Sequence, residues 1–328
     1  MSLLDIKKAH KKDVCNLLKN EEIAVVGPSD KPASMLRVYS HGGLIGRLAV
    51  GNHGDSHLLD KSYYLDKNGE NKTTYLSEKE SADLLAITNN SEKTGTQKLL
   101  SEEYLKLAIE ASKNKGKKQT DSEDMSVRER DIQTKIVRKY MSGDKWIVVD
   151  MEFSPSDAWN IGKGKPDFIV YDFDRKELGI IELKYNNENA NNLGKHYEDF
   201  MNVYNNPIPF NREIARRVIN YMVPCGLINE EVGEKIREGI GTVEKPKSTK
   251  VWFGFLFIVN PLEVENGLKG AKNLVKDYLK GEDGNIITPI DECRFLYRES
   301  IDSLSEKGLC YEDMYSYEDF KRHTVDEE

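Results

Sequence analysis

The sequence has no long hydrophobic segment. Its longest apolar stretch, VWFGFLFIV at 251–259, has the length of a β-strand and falls short of the roughly 18 apolar residues that a membrane helix needs. The opening residues, MSLLDIKKAHKK, contain no apolar block followed by a small-residue cleavage site, which argues against a secretory signal. We therefore expect a cytoplasmic protein that has no membrane partner.

The sequence also has few cysteines. The four of them, Cys15, Cys225, Cys293 and Cys310, are far apart and form neither a CxxC pair nor a zinc-ligand spacing. This pattern argues against a disulfide scaffold and against a structural zinc site, and it fits a reducing compartment. It is a second reason to expect the cytoplasm.

No part of the chain before residue 281 has a marked excess of one charge. Residues 1–124 carry 19 basic and 19 acidic side chains, residues 125–280 carry 24 and 23, and residues 281–328 carry 5 and 14. The net charge of −8 therefore comes from the C-terminal end. Overall acidity would discourage a nucleic-acid partner if it were uniform, but here the objection applies only to that end.

The length of 328 residues predicts about two domains. Residues 112–124, SKNKGKKQTDSED, contain no apolar side chain and are predicted to be a linker. Before it, residues 1–111 are expected to form a separate α+β region of specificity, sensing or dimerisation role. Its expected elements are helices at 5–20 and 101–112 and strands at 22–26, 35–39 and 44–50.

Residues 125–280 are predicted to form an α/β core with a mixed sheet flanked by helices. The expected order is a helix at 126–141, strands at 146–153, 166–173 and 178–185, a helix from about 192, a strand at 251–260 and a helix at 264–280. Residues 281–328 are interpreted as an acidic C-terminal extension.

The most informative segment is KPDFIVYDFDRKELGIIELK at 165–184, which is predicted to be a β-hairpin with a polar turn at 174–177. If Phe173 pairs with Leu178, then Asp167, Glu182 and Lys184 project from the same face of the hairpin. Glu182 and Lys184 would lie about 6.8 Å apart along their strand. Two carboxylates and one lysine are thus expected to converge at one end of an otherwise mostly apolar hairpin.

Two neighbouring carboxylates repel each other, and burial strengthens the repulsion. A hard divalent cation between them removes the conflict, and Mg²⁺ typically binds one or two carboxylates together with water and phosphate oxygens. A lysine beside such an ion can orient the attacking water and offset charge on the phosphate. The alternative interpretation is a surface hairpin with an ordinary Glu–Lys pair.

The spacing of Pro166-Asp167 and Glu182-Leu183-Lys184 resembles the motif of the PD-(D/E)XK nuclease superfamily. The resemblance implies a restriction-endonuclease-like core of helix, three strands, helix and strand. It also implies a metal-dependent phosphodiesterase, usually acting on DNA. Asp167 and Glu182 would then bind Mg²⁺, or Mn²⁺ as a substitute, with the Leu183 carbonyl as a further ligand. Lys184 would serve the nucleophilic water.

Members of this superfamily often add an acidic residue from the first core helix. Glu129 is the candidate here, because it begins the helix stripe of Ile132, Gln133, Ile136 and Tyr140 that is expected to pack on the sheet. A first-turn Glu that stabilises the helix dipole is the alternative explanation. Glu152 at the end of the first core strand is the competing ligand.

Five further residues are candidates for contact with nucleic acid. Lys163 and Lys165 lie in the loop before Asp167, where they could bind phosphate. Lys195, His196 and Tyr197 lie on the helix after the ExK strand. The alternative for Lys195 is a solvated side chain, and the alternative for Tyr197 is packing in the core. His196 is expected to be a less suitable general base than Lys184.

The resulting functional expectation is an Mg²⁺-dependent DNA endonuclease in restriction, defence or repair, acting on duplex DNA. Because cleavage of both strands usually needs two active sites, a homodimer is a reasonable expectation. Two alternatives stay open: a catalytically idle nucleic-acid-binding or assembly protein that keeps the fold, and a nuclease that cleaves RNA.

Overall fold

The structure of the chain is a computed structural model, which describes residues 3–28, 35–49, 56–90, 95–120, 126–141, 143–152, 166–185, 193–258, 267–281, 283–298, 301, 304 and 309–322. The chain divides into two compact units. The first comprises residues 1–139 and 220–229, and the second comprises residues 140–219 and 230–328. Each unit contains one β-sheet, so the expected α/β class is confirmed.

The first unit contains a four-stranded antiparallel sheet in the order β1-β2-β3-β4. The helices that contact its strands are α1, α3, α4 and α5. Its elements are α1 (Leu3–Leu18), β1 (Ala24–Pro28), β2 (Met35–Ser40), β3 (Gly43–Ala49), β4 (His57–Leu58), α2 (Glu78–Asn89), α3 (Gly95–Leu99), α4 (Glu102–Thr120) and α5 (Ser126–Lys139).

The turn between β2 and β3 shows how closely α5 packs in this unit. His41 and Gly42 both have positive φ angles, of 45° and 75°. The Gly42 N–H donates to Thr134 Oγ1 of α5 at 3.2 Å, and a Cβ at Gly42 would lie only 2.7 Å from the Cβ of Arg130. A glycine is therefore required here both by the turn and by the helix against it.

The segment predicted as a linker, 112–124, differs in the structure, because α4 continues to Thr120. Polar contacts explain why a stretch without apolar residues stays helical against the unit. Ser112 Oγ donates to the Ser40 carbonyl at 2.6 Å, and Asn114 Nδ2 donates to the Tyr75 carbonyl at 2.9 Å. Lys115 Nζ lies 4.2 Å from the Tyr63 ring centre. Residues 121–124 lie outside the described part of the chain.

The second unit contains a five-stranded mixed sheet in the order β5-β6-β7-β8-β9. Strands β5, β6 and β7 form an antiparallel meander, and β8 and β9 run parallel to β7. Its elements are β5 (Trp146–Met151), β6 (Phe168–Asp172), β7 (Glu177–Tyr185), α6 (Leu193–Asn205), α7 (Pro207–Arg217), α8 (Glu230–Ile240), β8 (Val251–Ile258), α9 (Gly267–Tyr278), β9 (Cys293–Arg298) and α10 (Tyr317–Arg322).

The division of the chain differs from the expected 125–280 core in two respects. The helix predicted to open that core is present as α5, but it belongs to the first unit, where it contacts α4, β1 and β2. Strand β9 comes from the region interpreted as an acidic extension, and Cys293, Phe295 and Leu296 in it are buried. All 14 acidic side chains of residues 281–328 lie outside this strand, CRFLYR, which pairs with β8 as the fifth strand of the sheet.

Aromatic side chains build the face of the sheet that carries the candidate site. Phe253 of β8 stacks on Phe200 of α6 with ring centres 4.7 Å apart, and Phe255 stacks on Phe295 of β9 at 5.5 Å. Because parallel partners share a face, the pairing of Glu182 with Phe255 places Glu182 on this same face, under α6.

No helix in the described residues has the length and apolar character needed to cross a membrane.

Candidate active site

The predicted hairpin is present, but its register differs from the prediction by two residues. Phe168 pairs with Ile181 and Asp172 pairs with Glu177, whereas the prediction paired Phe173 with Leu178. Continuing the observed register by one pair places Asp167 opposite Glu182. Since side chains alternate with a period of two, a two-residue shift leaves every side chain on its predicted face.

The turn explains this register. The Asp172 carboxylate accepts hydrogen bonds from the N–H groups of Asp174 and Arg175 at 3.0 and 3.1 Å, so the chain turns immediately after Asp172. Lys176 then adopts a left-handed φ of 57°, which returns the chain to the strand at Glu177. The four-residue loop is therefore 173–176 instead of 174–177.

Asp167 lies just before β6 and is 8% exposed. Its Oδ2 accepts a hydrogen bond from the Leu183 N–H at 2.7 Å, which fixes the carboxylate against the end of β7. In an extended strand the N–H and C=O of one residue point toward the same neighbouring strand. The Leu183 carbonyl is thus directed to the side of β7 on which Asp167 lies, as a carbonyl ligand would require.

Glu182 and Lys184 form a buried ion pair. Lys184 Nζ lies 2.6 Å from Glu182 Oε1, and the two residues are 3% and 4% exposed. Burial of two charges costs several kcal/mol each unless they are closely paired. The alternative of a surface hairpin with a solvated Glu–Lys pair is therefore inconsistent with the burial of these side chains.

His196 of α6 joins this pair, with its Nε2 3.3 Å from the same Glu182 oxygen. Burial lowers the pKa of His196 below its usual value of 6.5, and the attraction of Glu182 only partly opposes this effect. The imidazole is therefore neutral near pH 7 and can donate from Nε2 to the carboxylate. Among the described residues, the Glu182 carboxylate contacts Lys184 and His196, both through Oε1.

The two competing acidic residues lie in different places. Glu129 is half-buried on α5 in the first unit, so it does not share a unit with Asp167 and Glu182, and its role stays a prediction. Glu152 follows the end of β5 with a left-handed φ of 46°, and its N–H donates to the Asp167 carbonyl at 3.0 Å. The predicted strand 146–153 ends at Met151 in the structure, so strand alternation does not determine which face Glu152 occupies.

A second buried ion pair on this sheet was not predicted. Asp150 of β5 is fully buried and pairs with Arg217 Nη1 of α7, which is 1% exposed. Arg217 Nε also binds Glu213 Oε1 at 2.8 Å, and Arg216 binds the same glutamate. The one signal in the sequence was an aspartate inside the apolar run WIVVDM.

The predicted nucleic-acid contacts have separate outcomes. Lys195 is exposed on α6, next to His196. Tyr197 is 6% exposed and its hydroxyl oxygen accepts from the Ile290 N–H at 3.1 Å, so its position favours the packing alternative over contact with nucleic acid. Lys163 and Lys165 lie outside the described residues.

Within the described residues, no group of three or more His, Cys, Asp and Glu side chains is arranged to hold a metal ion. Within the second unit, the candidate donors are two carboxylates, Asp167 and Glu182, and the Leu183 carbonyl, and Glu129 of α5 stays a predicted further ligand. This small set of oxygen donors suits Mg²⁺, which usually keeps several waters and binds through one or two carboxylates.

Comparisons of the chain with protein-family models, with curated proteins and with solved structures found no match.

Proposed function

We propose that this chain is a metal-dependent phosphodiesterase of the PD-(D/E)XK superfamily and that it acts on DNA as an endonuclease. The observation that supports the proposal is the burial of Asp167, Glu182 and Lys184 at the ends of two adjacent strands. The three strands β5, β6 and β7 are followed by α6, α7 and α8 before β8, so the chain has the strand–strand–strand–helix–strand order that the motif implies, with two further helices inserted before the last strand. The predicted first helix is the exception, because α5 belongs to the other unit.

The carboxylates of Asp167 and Glu182 would hold Mg²⁺ or Mn²⁺, with the Leu183 carbonyl as a third protein ligand. Their chemistry fits the ion, because Mg²⁺ prefers oxygen ligands and both carboxylates are buried at the ends of two adjacent strands. When bound, such an ion supplies a Lewis acid for the phosphate oxygens. The Leu183 N–H keeps Asp167 in position, and His196 does the same for Glu182.

Lys184 is the residue that we assign to the attacking water. Its ammonium group has three donors, and the 2.6 Å contact with Glu182 fixes its position. A lysine held in this way can orient a water molecule toward phosphorus and stabilise the negative charge that develops on the phosphate. Because the pKa of His196 is lowered and its Nε2 faces Glu182, we assign His196 to positioning and not to proton transfer.

Exposed lysines support a polyanionic substrate. Lys195, Lys269, Lys276 and Lys280 make no ion pair among the described residues, whereas other lysines of this unit, such as Lys176, Lys235, Lys250 and Lys321, pair with glutamates. The end of α9 meets the start of α6, because a Cβ at Gly194 would lie 1.7 Å from the Lys280 carbonyl oxygen. Lys280 therefore lies near the start of the helix that bears Lys195 and His196, where phosphate contacts would be needed.

A cleavage assay tests this function. Purified chain is incubated with supercoiled plasmid, linear duplex, single-stranded DNA and RNA, each with Mg²⁺, Mn²⁺ or Ca²⁺ and with excess chelator. We expect cleavage of the plasmid with Mg²⁺ and Mn²⁺, and loss of cleavage with chelator. Ca²⁺ should permit binding with little turnover, because its looser coordination positions the water poorly.

The matched control is Glu182→Gln, which keeps the size of the side chain and the hydrogen bond to Lys184 but removes the negative charge. We expect it to abolish cleavage in every metal while the chain stays folded. Undiminished cleavage in excess chelator would contradict the role of the two carboxylates. Binding of DNA with no cleavage under any condition would support an idle nucleic-acid-binding protein, and cleavage of RNA alone would change the substrate.

A further inference from the structure

His41 lies in the turn between β2 and β3 with one carboxylate beside each of its ring nitrogens. Its Nε2 is 3.0 Å from Glu22 Oε1, and its Nδ1 is 3.5 Å from Asp131 Oδ1. Glu22 lies between α1 and β1, whereas Asp131 lies on α5. The imidazole therefore joins three parts of the first unit that are far apart in the sequence.

This arrangement suits the doubly protonated imidazole. A neutral imidazole has one N–H donor and one acceptor nitrogen, so it can donate to only one of the two carboxylates. Its other nitrogen would direct a lone pair at an ionised carboxylate, which is itself only an acceptor. The hydrogen bond to Asp131 raises the pKa of His41 above its usual value of 6.5, Glu22 adds to this effect, and partial burial opposes it.

Other titratable side chains surround the turn. By element they are Glu22 after α1, Tyr63 of the segment 61–63, and Arg130, Asp131 and Lys135 of α5. Lys135 Nζ lies 2.6 Å from Asp131 Oδ2, which is not the oxygen that contacts His41. Arg130 is a further cation beside the turn, and its charge opposes protonation of the ring. Protonation of His41 thus depends on the two carboxylates that contact it.

The backbone makes the turn sensitive to these contacts. His41 has a φ of 45°, in the left-handed region that a residue other than glycine keeps only with support from its surroundings. The next residue, Gly42, donates its N–H to Thr134 Oγ1 of α5 at 3.2 Å, three residues after Asp131. Loss of the contact between His41 and Asp131 would therefore loosen a turn that also holds α5 through Gly42.

We propose that His41 is a pH-sensitive clamp of the first unit, tied to both Glu22 and Asp131 when its imidazole is doubly protonated and released from one of them when the imidazole is neutral. Because the pKa of His41 is raised in the folded chain, the clamp contributes its full stability below the unfolded pKa of about 6.5. It loses that stability as the pH rises through the folded pKa. The clamp is independent of the nuclease function proposed for the second unit.

Nuclear magnetic resonance of the full chain with isotope-labelled histidine measures the pKa of each of the six histidines. His41→Asn identifies the His41 signal, because asparagine also tolerates a left-handed φ. We expect His41 to titrate above pH 6.5. Glu22→Gln and Asp131→Asn should each lower the pKa of His41, since each removes one negative charge from beside the ring.

Asp13→Asn is the matched control for these two variants. Asp13 Oδ2 lies 3.1 Å from Nδ1 of another histidine of the same unit, His10. The substitution therefore removes a carboxylate from beside an imidazole but leaves both partners of His41 in place. It should leave the pKa of His41 unchanged.

Hydrogen exchange of the Gly42 amide measures release of the turn. In the wild type, protection relative to the intrinsic exchange rate should fall between pH 6 and pH 8. The fall should be up to about tenfold for each unit by which the pKa of the closed clamp exceeds that of the released turn. In His41→Asn, protection should not change over this range.

A His41 pKa at or below 6.5 would overturn the proposal, and so would a pKa that neither carboxylate variant lowers. Wild-type protection of the Gly42 amide that is equal at pH 6 and pH 8 would overturn it as well, because the ring would then not control the turn. If Asp131→Asn does not fold, Glu22→Gln decides the first outcome, since the Glu22 side chain is 47% exposed.

Discussion

Two buried ion pairs lie on the sheet of the second unit, and they are built differently. Asp150 on edge strand β5 meets Arg217, which also binds Glu213, and Arg216 binds Glu213 in turn. The backbone N–H of Met151 donates to the second Asp150 oxygen at 2.8 Å. Two carboxylates and two guanidiniums therefore balance, in a network where both oxygens of Asp150 accept hydrogen bonds.

The pair on central strand β7 is arranged differently. Asp167 and Glu182 supply two carboxylates, and Lys184 supplies one ammonium. Within the described residues, both contacts of the Glu182 carboxylate are made through Oε1, so its other oxygen accepts no hydrogen bond there. Both oxygens of Asp150 are thus used within the fold, whereas one oxygen of Glu182 is left that could bind a cation.

Among the basic partners of the two pairs, Lys184 should give the larger loss of activity when it is replaced. Lys184→Ala should lower the single-turnover cleavage rate by about 10²–10⁴, the range for loss of one positioned proton-transfer or charge-stabilising group. Lys184→Arg should not restore the rate, because a planar guanidinium cannot take the same position. The rate is measured on plasmid DNA with Mg²⁺. If folded Lys184→Ala cleaved DNA at the rate of the wild type, the two pairs would not differ in function.

Loss of Arg217 should give the largest effect on stability. Arg217→Met leaves Asp150 fully buried without its partner and should lower the free energy of unfolding by about 3–5 kcal/mol. Replacing both residues, as Asp150→Leu with Arg217→Met, should recover part of that loss. Urea titration measures both variants. Lys184→Met should lower the free energy of unfolding by less than Arg217→Met does, since His196 still contacts Glu182. An equal loss of stability would contradict the difference between the two pairs.

A smaller difference is expected between the two competing acidic residues. Glu129→Gln should weaken the metal dependence and lower the rate about 10–100-fold, as for a group that supports a metal site. Glu152→Gln should leave the rate within a few-fold, because the contact that fixes it near Asp167 is made by its backbone N–H. Titration of cleavage with Mg²⁺ measures both. The reverse order would make Glu152 the third acidic residue of the site.

The smallest effect concerns pH. Because burial lowers the pKa of His196 below 6.5, the unfolded chain binds a proton there more readily than the folded chain. The stability of the second unit should therefore be complete above about pH 6.5 and decline as the pH falls toward the folded pKa. Urea unfolding of wild type and His196→Gln between pH 5 and 8 measures this, and the variant should show a flatter profile. A wild-type stability that rises on acidification would contradict the assignment.

The helix α5 shows what periodicity can and cannot predict. The stripe of Ile132, Gln133, Ile136 and Tyr140 was predicted to be buried, and all four residues are 9% exposed or less. The same pattern predicts packing on the core sheet, yet α5 contacts β1 and β2 of the first unit. Periodicity determines which face of a helix is buried, but the surface that covers it depends on tertiary contacts.

The hairpin shows a second limit. Its strands and the common face of Asp167, Glu182 and Lys184 follow from alternating positions, which a two-residue shift does not change. The register depends on the residue at which the chain turns. The Asp172 carboxylate fixes that residue by accepting hydrogen bonds from two backbone N–H groups of the turn. Aspartate tends to accept hydrogen bonds from the backbone of a turn, so the position of Asp172 in the sequence is a signal for the observed register.

Other elements were missed although the sequence contained a signal for them. Helix α7 begins with Pro207 after Asn206, which is a favourable helix start, and α2 begins with a capping box between Ser77 and Glu80. For the contact of Asp150 with Arg217, the aspartate inside an apolar strand indicates a buried charge but does not identify its partner, which is 67 positions away in the chain.

Strand β9 covers a sheet edge that shortened forms of the chain would expose. It pairs along one edge of β8, whose eight residues, VWFGFLFI, are all buried. A chain that a protease or a premature stop ended before Cys293 would present that apolar strand as an open sheet edge, with unpaired backbone groups ready to bind another copy. The acidic C-terminal region thus protects the most aggregation-prone strand of the sheet, and shortened products would collect as insoluble assemblies.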